Sequence, residues 1–513
     1  MTEDKNILLQ SLPKVDRLLE DERIMRLIQH HPRSLVVEKI RDHLENMRRN
    51  ILDNLIQKQS LDFDDLVDEF VEKAEIELDI GSKRAVNGVG IVLHTGLGRA
   101  PLAETAQKAL MEAVAHYSTL QIDRETGKRG DRYAKIEELL RIITGAEAAL
   151  IVNNNAAATL LILNTLAGNK EVIVSRGELL EIGGSFRIPD VMHRSGAKLI
   201  EVGTTNRTHL KDYMNAITDK TGLILKVHQS NYRITGFTKQ VPIEELAELA
   251  HKYDLPAVDD LGSGALLDLS RWGLPKEPTV QDSIKAAADV VCFSGDKLLG
   301  GPQCGIILGK KGPIEKIKKN QLTRALRCGK MTYAVLEATL RLFLDEETLM
   351  RVHPVLRMLT EPKTEIKKRC YSLRRKLKEI IGEKGSLAVE EDVSEVGSGS
   401  LAGETLPTWI LSVRLRDHTP EKLARRLRMA DPPVFSRIKD DKVILDCRTI
   451  RRDEFIWIAN GFRNSLGVPA TEQKQEAVKL KDMSPMAEEI SAEVREIDST
   501  DDDEMTIPGD GDK

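Results

Sequence analysis

Val290-Val291-Cys292-Phe293-Ser294-Gly295-Asp296-Lys297-Leu298-Leu299-Gly300-Gly301-Pro302 is an apolar run that ends in a lysine set inside a glycine-rich turn. The run predicts a buried strand, and the turn delivers Lys297 from its carboxyl end. Burying an ammonium is costly and lowers its pKa, which suits a lysine that works as a neutral amine and forms a Schiff base. Taken alone, the segment reads equally well as a surface lysine beside a β-turn.

Working outward from it, short apolar runs recur upstream: Ala149-Leu150-Ile151-Val152, Val172-Ile173-Val174, Leu199-Ile200, Leu223-Ile224-Leu225 and Ala257-Val258. Helix-length segments such as Ile243 to Tyr253 separate them. This alternation predicts an α/β fold, a mostly parallel sheet with helices on both faces. Ligands of such sheets sit at the carboxyl ends of strands, so the residues just after each run carry the chemistry.

Four strand ends converge on one cofactor. Asn153-Asn154-Asn155-Ala156-Ala157-Ala158 opens a helix with small residues, whose free backbone N–H groups suit a phosphate; an ordinary Asn-capped helix is the competing reading. Asp259-Asp260-Leu261-Gly262-Ser263-Gly264 places a carboxylate before a flexible turn, and Lys297 follows on the next strand unit. A phosphate-binding helix start, a carboxylate that keeps a ring nitrogen protonated and an imine-forming lysine are what pyridoxal 5'-phosphate requires. The expected cofactor contacts are Asn155, Ala156 and Ala157 at the helix start, Asp260, Ser294 and Lys297. Asn231, in Gln229-Ser230-Asn231 after another run, supplies an amide for the cofactor's phenolic oxygen.

With 513 residues, the chain is too long for one hydrophobic core. Residues 1–80 predict a separate helical domain: Ile40, Leu44, Met47, Ile51 and Leu55 recur at three and four, and an acidic pattern runs through Leu66, Phe70 and Val71. Residues 81–340 form the expected large domain. Residues 341–467 predict a small α+β domain, with a strand at Trp409 to Val413 and a hairpin joining Val434 to Ile438 with Val443 to Leu445. Residues 468–513 predict an acidic, disordered tail.

The net charge of −5 excludes a global basic field for DNA or RNA, so any RNA contact is local. The five cysteines form no C-x-x-C pair, which fits a reducing cytoplasm rather than a disulfide framework or zinc site. No secretion signal and no convincing membrane span is expected.

His94-Thr95-Gly96-Leu97-Gly98-Arg99, Gly127 to Arg132, Ile151 to Ala158, Ser175 to Glu178, Gly203 to Arg207, Asp260 to Gly264 and Ser294 to Pro302 together resemble the bacterial L-seryl-tRNA(Sec) selenium transferases. The resemblance runs to about Leu466 and implies a fold-type I pyridoxal phosphate enzyme. It further implies conversion of seryl-tRNA(Sec) to selenocysteinyl-tRNA(Sec) with selenophosphate, by loss of the serine hydroxyl and addition of selenium. Lys297 and Asp260 would be the catalytic pair. Arg99 would bind the donor, together with Arg324 and Arg327 offered by a neighbouring subunit. The N-terminal helices would grip the tRNA, with Arg41, Arg48 and Arg49 as candidates, although Glu45 is four residues from both Arg41 and Arg49 and placed to pair with them. A homodecamer built as a pentamer of dimers is implied too. Gly96 and Gly329 depart from the family's pattern, in which Asn and Asp are common at those places. The competing enzyme reading is a related pyridoxal phosphate lyase acting on a small amino acid or amino sugar acid without tRNA. Cys304, near the lysine turn, is expected to be a small buried thiol.

Overall fold

The computed structural model describes residues 3–53, 55, 62–78, 81–183, 186–397 and 399–468. Of the expected acidic tail, everything after Val468 lies outside the described residues. The chain divides into two compact units, Met1–Arg84 and Ala85–Lys513.

The first unit is helical, as its periodicity predicts. Its longest helix, Arg33–Leu52, buries Ile40, Leu44, Met47 and Ile51 along one stripe. The helix Phe63–Leu78 sets Leu66, Val67 and Phe70 into the same core. Leu55, expected to extend the stripe, is 71% exposed, because the helix stops at Leu52. Arg23 links Asp21, Asp64 and Asp68 at 2.8 Å each, and so clamps the start of one helix to the start of another. Arg49 pairs with Glu45 at 3.8 Å, as its four-residue spacing predicts, and Arg48 does so at 3.3 Å, whereas Arg41 makes no ion pair with Glu45 among the described residues.

The second unit is built on a seven-stranded sheet. Its strands are β1 (Ala148–Val152), β2 (Glu171–Ser175), β3 (Lys198–Val202), β4 (Thr221–Val227), β5 (Ala257–Gly262), β6 (Val290–Ser294) and β7 (Gly305–Gly309). The spatial order is β1-β7-β6-β5-β4-β2-β3. β7 runs antiparallel to both its neighbours, and the remaining pairs are parallel. The sheet is covered on both faces, which explains why its strands read as continuous apolar runs. Ala149, Ile151, Val291 and Phe293 face the helices Ala134–Thr144, Ile243–Lys252 and Lys330–Leu342. Leu150, Val152, Val290 and Cys292 face helix α1 (Asn155–Ala167) and the helices Ile188–Ser195 and Lys311–Lys319. β7 has no counterpart among the predicted runs, since it is short, bounded by Gly305 and Gly309, and lies just past the lysine turn.

The small domain is an antiparallel sheet in the order Gly385–Glu395, Thr405–Leu415, Lys442–Asp446, Arg437–Lys439, backed by the helix Lys363–Ile381. Asp440 and Asp441 both take positive φ, 51° and 56°, as a two-residue hairpin turn demands. The predicted strand Val434 to Ile438 is split. Only Arg437–Lys439 joins the hairpin, while Val434 and Phe435 pair in parallel with Val86 and Asn87. The stretch from Val86 to Leu93, which the sequence assigns to the large domain, thus bonds to the small one. Val92 and Leu93 donate to the carbonyls of Glu395 and Val396 at 3.0 and 2.8 Å.

Candidate active site

The carboxyl ends of β1, β4, β5 and β6 meet at a cavity of about 240 Å³ whose walls include Arg99, Asn155, Ala156, Asp260, Ser294 and Lys297. Six of the ten sequence-predicted residues are therefore brought together.

Asp260 lies near the end of β5 on the α1 side, 4% exposed. Its Oδ1 accepts from Asn155 Nδ2 at 2.8 Å, and its Oδ2 from Thr159 Oγ1 at 2.9 Å. Asn155 and Thr159 are four apart on α1, hence on one helix face. Burial pushes the Asp260 carboxyl above its ordinary pKa, while these two donors and the nearby Lys297 ammonium act in the opposite sense. A cation at this carboxylate would add to the effects that favour its ionised form.

Helix α1 starts at the cavity. Asn154 caps it, and its side chain takes the N–H of Ala157 at 2.8 Å. Ala157 is therefore already bonded through its N–H and does not line the cavity, contrary to expectation. The groups left at the helix start are those of Asn155 and Ala156. β7 packs tightly behind this turn: a Cβ on Gly305 would lie 2.2 Å from the Asn154 carbonyl oxygen.

Lys297 is 6% exposed. Burial, and next the positive charge of Arg99, hold its amine below the ordinary lysine pKa; Asp260, Asp296 and Glu277 oppose this. Ser294 donates to Asp296 Oδ1 at 2.9 Å, and Asp296 Oδ2 holds Arg99 Nη1 at 2.7 Å. Ser294 thus orders the turn that bears the lysine.

The loop between the two long strands of the small domain reaches the same place. A Cβ on Gly399 would fall 2.4 Å from Lys297 Nζ. Sequence reasoning missed this contact, which joins residues about a hundred positions apart. It missed Thr159 as well, although the four-residue spacing from Asn155 was a usable signal. His228, whose Nε2 lies 3.1 Å from Glu277 Oε1, and Ser230 also line the cavity from beyond β4.

Three predicted residues lie elsewhere. Asn231 does not line the cavity; its Nδ2 donates to the Glu181 carbonyl at 2.8 Å. Arg324 and Arg327 are exposed, off the cavity, with no ion-pair partner among the described residues. Cys304 is fully buried, and burial raises its thiol pKa, as expected of a packing residue.

The residues present fit a pyridoxal phosphate. A helix start offers N–H groups to a phosphate, a doubly held carboxylate suits a protonated ring nitrogen, and a buried amine stands close by. Asn155 Oδ1 is buried on the wall without a hydrogen-bond partner.

The family model described as L-seryl-tRNA selenium transferase matches residues 85–451, and that described as selenocysteine synthase N terminal matches residues 9–48. An L-seryl-tRNA(Sec) selenium transferase of Alkaliphilus oremlandii (strain OhILAs) is 48% identical over 465 residues, 90% of this chain and 99% of that protein. One from Clostridium botulinum (strain Loch Maree / Type A3) is 48% identical over 463 residues, covering 90% of this chain and all of that protein. Among solved structures, D-glucosaminate-6-phosphate ammonia-lyase shares the fold, with a TM-score of 0.52 at 19% identity over 75% of this chain and 96% of that one. Matched along most of its length and 48% identical to such relatives, the chain belongs to the L-seryl-tRNA selenium transferase family.

Proposed function

We infer that the chain is a pyridoxal phosphate enzyme that converts seryl-tRNA(Sec) into selenocysteinyl-tRNA(Sec), with selenophosphate as the selenium donor. The observation that carries the reading is the meeting of buried Lys297, doubly held Asp260 and the start of α1 on one cavity, in a chain of this family.

The N–H groups of Asn155 and Ala156 hold the cofactor's phosphate, and Asp260 keeps a proton on its ring nitrogen. Bound pyridoxal phosphate supplies the electron sink for the charge released at the serine Cα. Lys297 Nζ takes the Cα proton. Its lowered pKa raises the share of neutral amine available for that task. Because the serine carboxyl is esterified to tRNA it carries no charge, so the Cα proton is more acidic than in free serine and decarboxylation is excluded. Arg99, fixed by Asp296, binds the anionic donor beside Cβ. The Cβ–O bond breaks, a Cβ–Se bond forms and water cleaves Se–P, so serine and selenophosphate become selenocysteine and phosphate.

Arg324 and Arg327 serve the cavity of a neighbouring copy in this reading, within a homodecamer assembled as a pentamer of dimers; light scattering measures that state. Their exposure and the lack of ion-pair partners among the described residues support the assignment. The N-terminal helical unit binds the tRNA body. The five cysteines are all buried and unpaired, which suits the cytoplasm. Among the described residues no helix is long and apolar enough to cross a membrane.

The test is to incubate the purified protein with seryl-tRNA(Sec), with and without selenophosphate, and to identify the amino acid recovered from the RNA. Selenocysteine that depends on the donor is expected. Serine recovered unchanged, alongside a cofactor absorbance that Lys297→Ala abolishes, would overturn the reading in favour of a lyase acting on a small amino acid or amino sugar acid.

A further inference from the structure

A second, larger cavity of about 810 Å³ adjoins the first, and Arg99 lines both. Besides Arg99 its walls carry Arg357, Arg369, Arg448, Arg451 and Arg452. Most are committed. Arg369 pairs with Glu361, Arg451 with Asp453, and the two terminal nitrogens of Arg448 donate to the carbonyls of Met358 and Pro407 at 2.6 and 2.7 Å. Arg357 and Arg452 are exposed, and neither has an ion-pair partner among the described residues. Two buried nitrogens of wall residues, Arg448 Nε and His94 Nδ1, also lack a hydrogen-bond partner, and Arg448 is 3% exposed. Orphaned buried polar atoms of this kind call for an explanation, and a ligand is one. Leu97, Pro101 and Met358 add an apolar wall.

We propose that this cavity receives the single-stranded 3′ end of the substrate tRNA, with Arg357 and Arg452 binding its phosphates. The proposal rests on the tRNA-dependent reading above and assigns the route by which the esterified serine reaches Lys297. Three features support it. The cavity is too large for serine alone, and it shares the Arg99 wall with the cavity that holds Lys297. Its free cations suit a backbone of phosphates, and its apolar wall suits a base face. Of the other wall arginines, Arg99, Arg369 and Arg451 are held by carboxylates and Arg448 by backbone carbonyls, so Arg357 and Arg452 are the two left without such a partner among the described residues. Selenophosphate carries the same phosphate chemistry, so the test must separate the two sources.

Full-length protein is titrated with tRNA(Sec) and with tRNA(Sec) lacking its three 3′-terminal nucleotides, using wild type and the double variant Arg357→Gln/Arg452→Gln. Trimming the RNA is expected to weaken wild-type binding. The double variant should bind both RNAs equally, and its log–log salt slope should be shallower by about 1.4, at about 0.7 per single-strand phosphate contact. Cofactor absorbance and the KM for selenophosphate should not change, and Arg357→Lys/Arg452→Lys should restore much of the discrimination. A double variant that distinguishes the two RNAs as wild type does would overturn the proposal. So would a raised KM for selenophosphate with RNA binding intact, which would assign these arginines to the donor. A wild type that binds neither RNA would instead overturn the tRNA-dependent reading itself.

Discussion

Arg99 Nη1 lies 2.7 Å from Asp296 Oδ2, so the cation facing the candidate active site is fixed by the residue beside Lys297. Arg99 also takes a left-handed backbone, φ 64°, at a cost on the order of 1 kcal/mol for a residue other than glycine. Strain and anchor together hold one side chain in one place, as a site for a small anion requires. In Asp296→Asn the anchor keeps its shape and loses its charge. The KM for selenophosphate is expected to rise about tenfold, near the lower end of what a charge-assisted hydrogen bond contributes. Exchange of the serine Cα proton with deuterium, which needs no donor, should persist. An unchanged KM would show that the pair does not position the donor.

Gly399 predicts a different defect. Its φ is +88°, and a Cβ there would meet Lys297 Nζ at 2.4 Å and Cε at 2.6 Å. The left-handed backbone alone costs an alanine roughly 1 kcal/mol, too little to unfold the domain. The collision displaces either the lysine or the loop that covers it. Gly399→Ala should therefore fold, by circular dichroism, yet require at least about tenfold more pyridoxal phosphate for half-saturation of the bound absorbance. Wild-type uptake by that variant would mean that the loop moves freely away from Lys297.

Lys297 itself should destabilise the cofactor-free protein. Burial depresses its pKa from 10.5, so the unfolded chain binds the proton more tightly than the folded one. Stability then rises with pH, and the penalty of the buried ammonium, present at neutral pH, disappears above the unfolded value. Lys297→Met, with a side chain of similar length and no charge, should melt a few degrees higher than cofactor-free wild type at pH 7.5. The gap should close toward pH 10.5. It should take up no covalently bound cofactor. A variant that melts lower than wild type at pH 7.5 would show that the lysine is stabilised by its surroundings.

Much of this site was legible because its residues stand at the ends of apolar runs. Asp260 stands near the carboxyl end of β5, Lys297 follows β6 and Asn155 follows β1, so a parallel sheet necessarily gathers them. What escaped was set by contacts between distant segments. Gly399 comes from the small domain, and nothing near it in the chain refers to Lys297. Asn231 was placed by its position after β4, but the chain turns its amide toward the Glu181 carbonyl and leaves His228 and Ser230 on the cavity. Ala157 was one residue too far along the helix, since the Asn154 cap already holds its N–H. β7 was missed because antiparallel strands of five residues bounded by glycines resemble a loop in sequence.

The neighbouring carboxylates of β5 offer a final, separable prediction. Asp260 faces the cavity, while Asp259, one residue earlier, is buried on the opposite face of the sheet. Its Oδ2 accepts from Ser283 Oγ at 2.6 Å, and its Oδ1 has no partner. Burial pushes its pKa up from 3.8 to about 6. Between those values the folded state holds a proton that the unfolded state has lost. This contribution to stability is therefore present below pH 3.8, falls as pH rises and is gone above about pH 6. Two pKa units correspond to about 3 kcal/mol, so Asp259→Asn, which keeps an acceptor for Ser283, should stabilise the protein by up to about 3 kcal/mol at pH 8. At pH 4 the two proteins should melt together. Turnover should stay within about twofold of wild type, because the Asp259 carboxylate does not line the cavity and its loss leaves the bonds of Asp260 to Asn155 and Thr159 in place. Denaturant titrations at both pH values decide it: an equal gap at pH 4 and pH 8 would trace the effect to packing rather than to the buried charge.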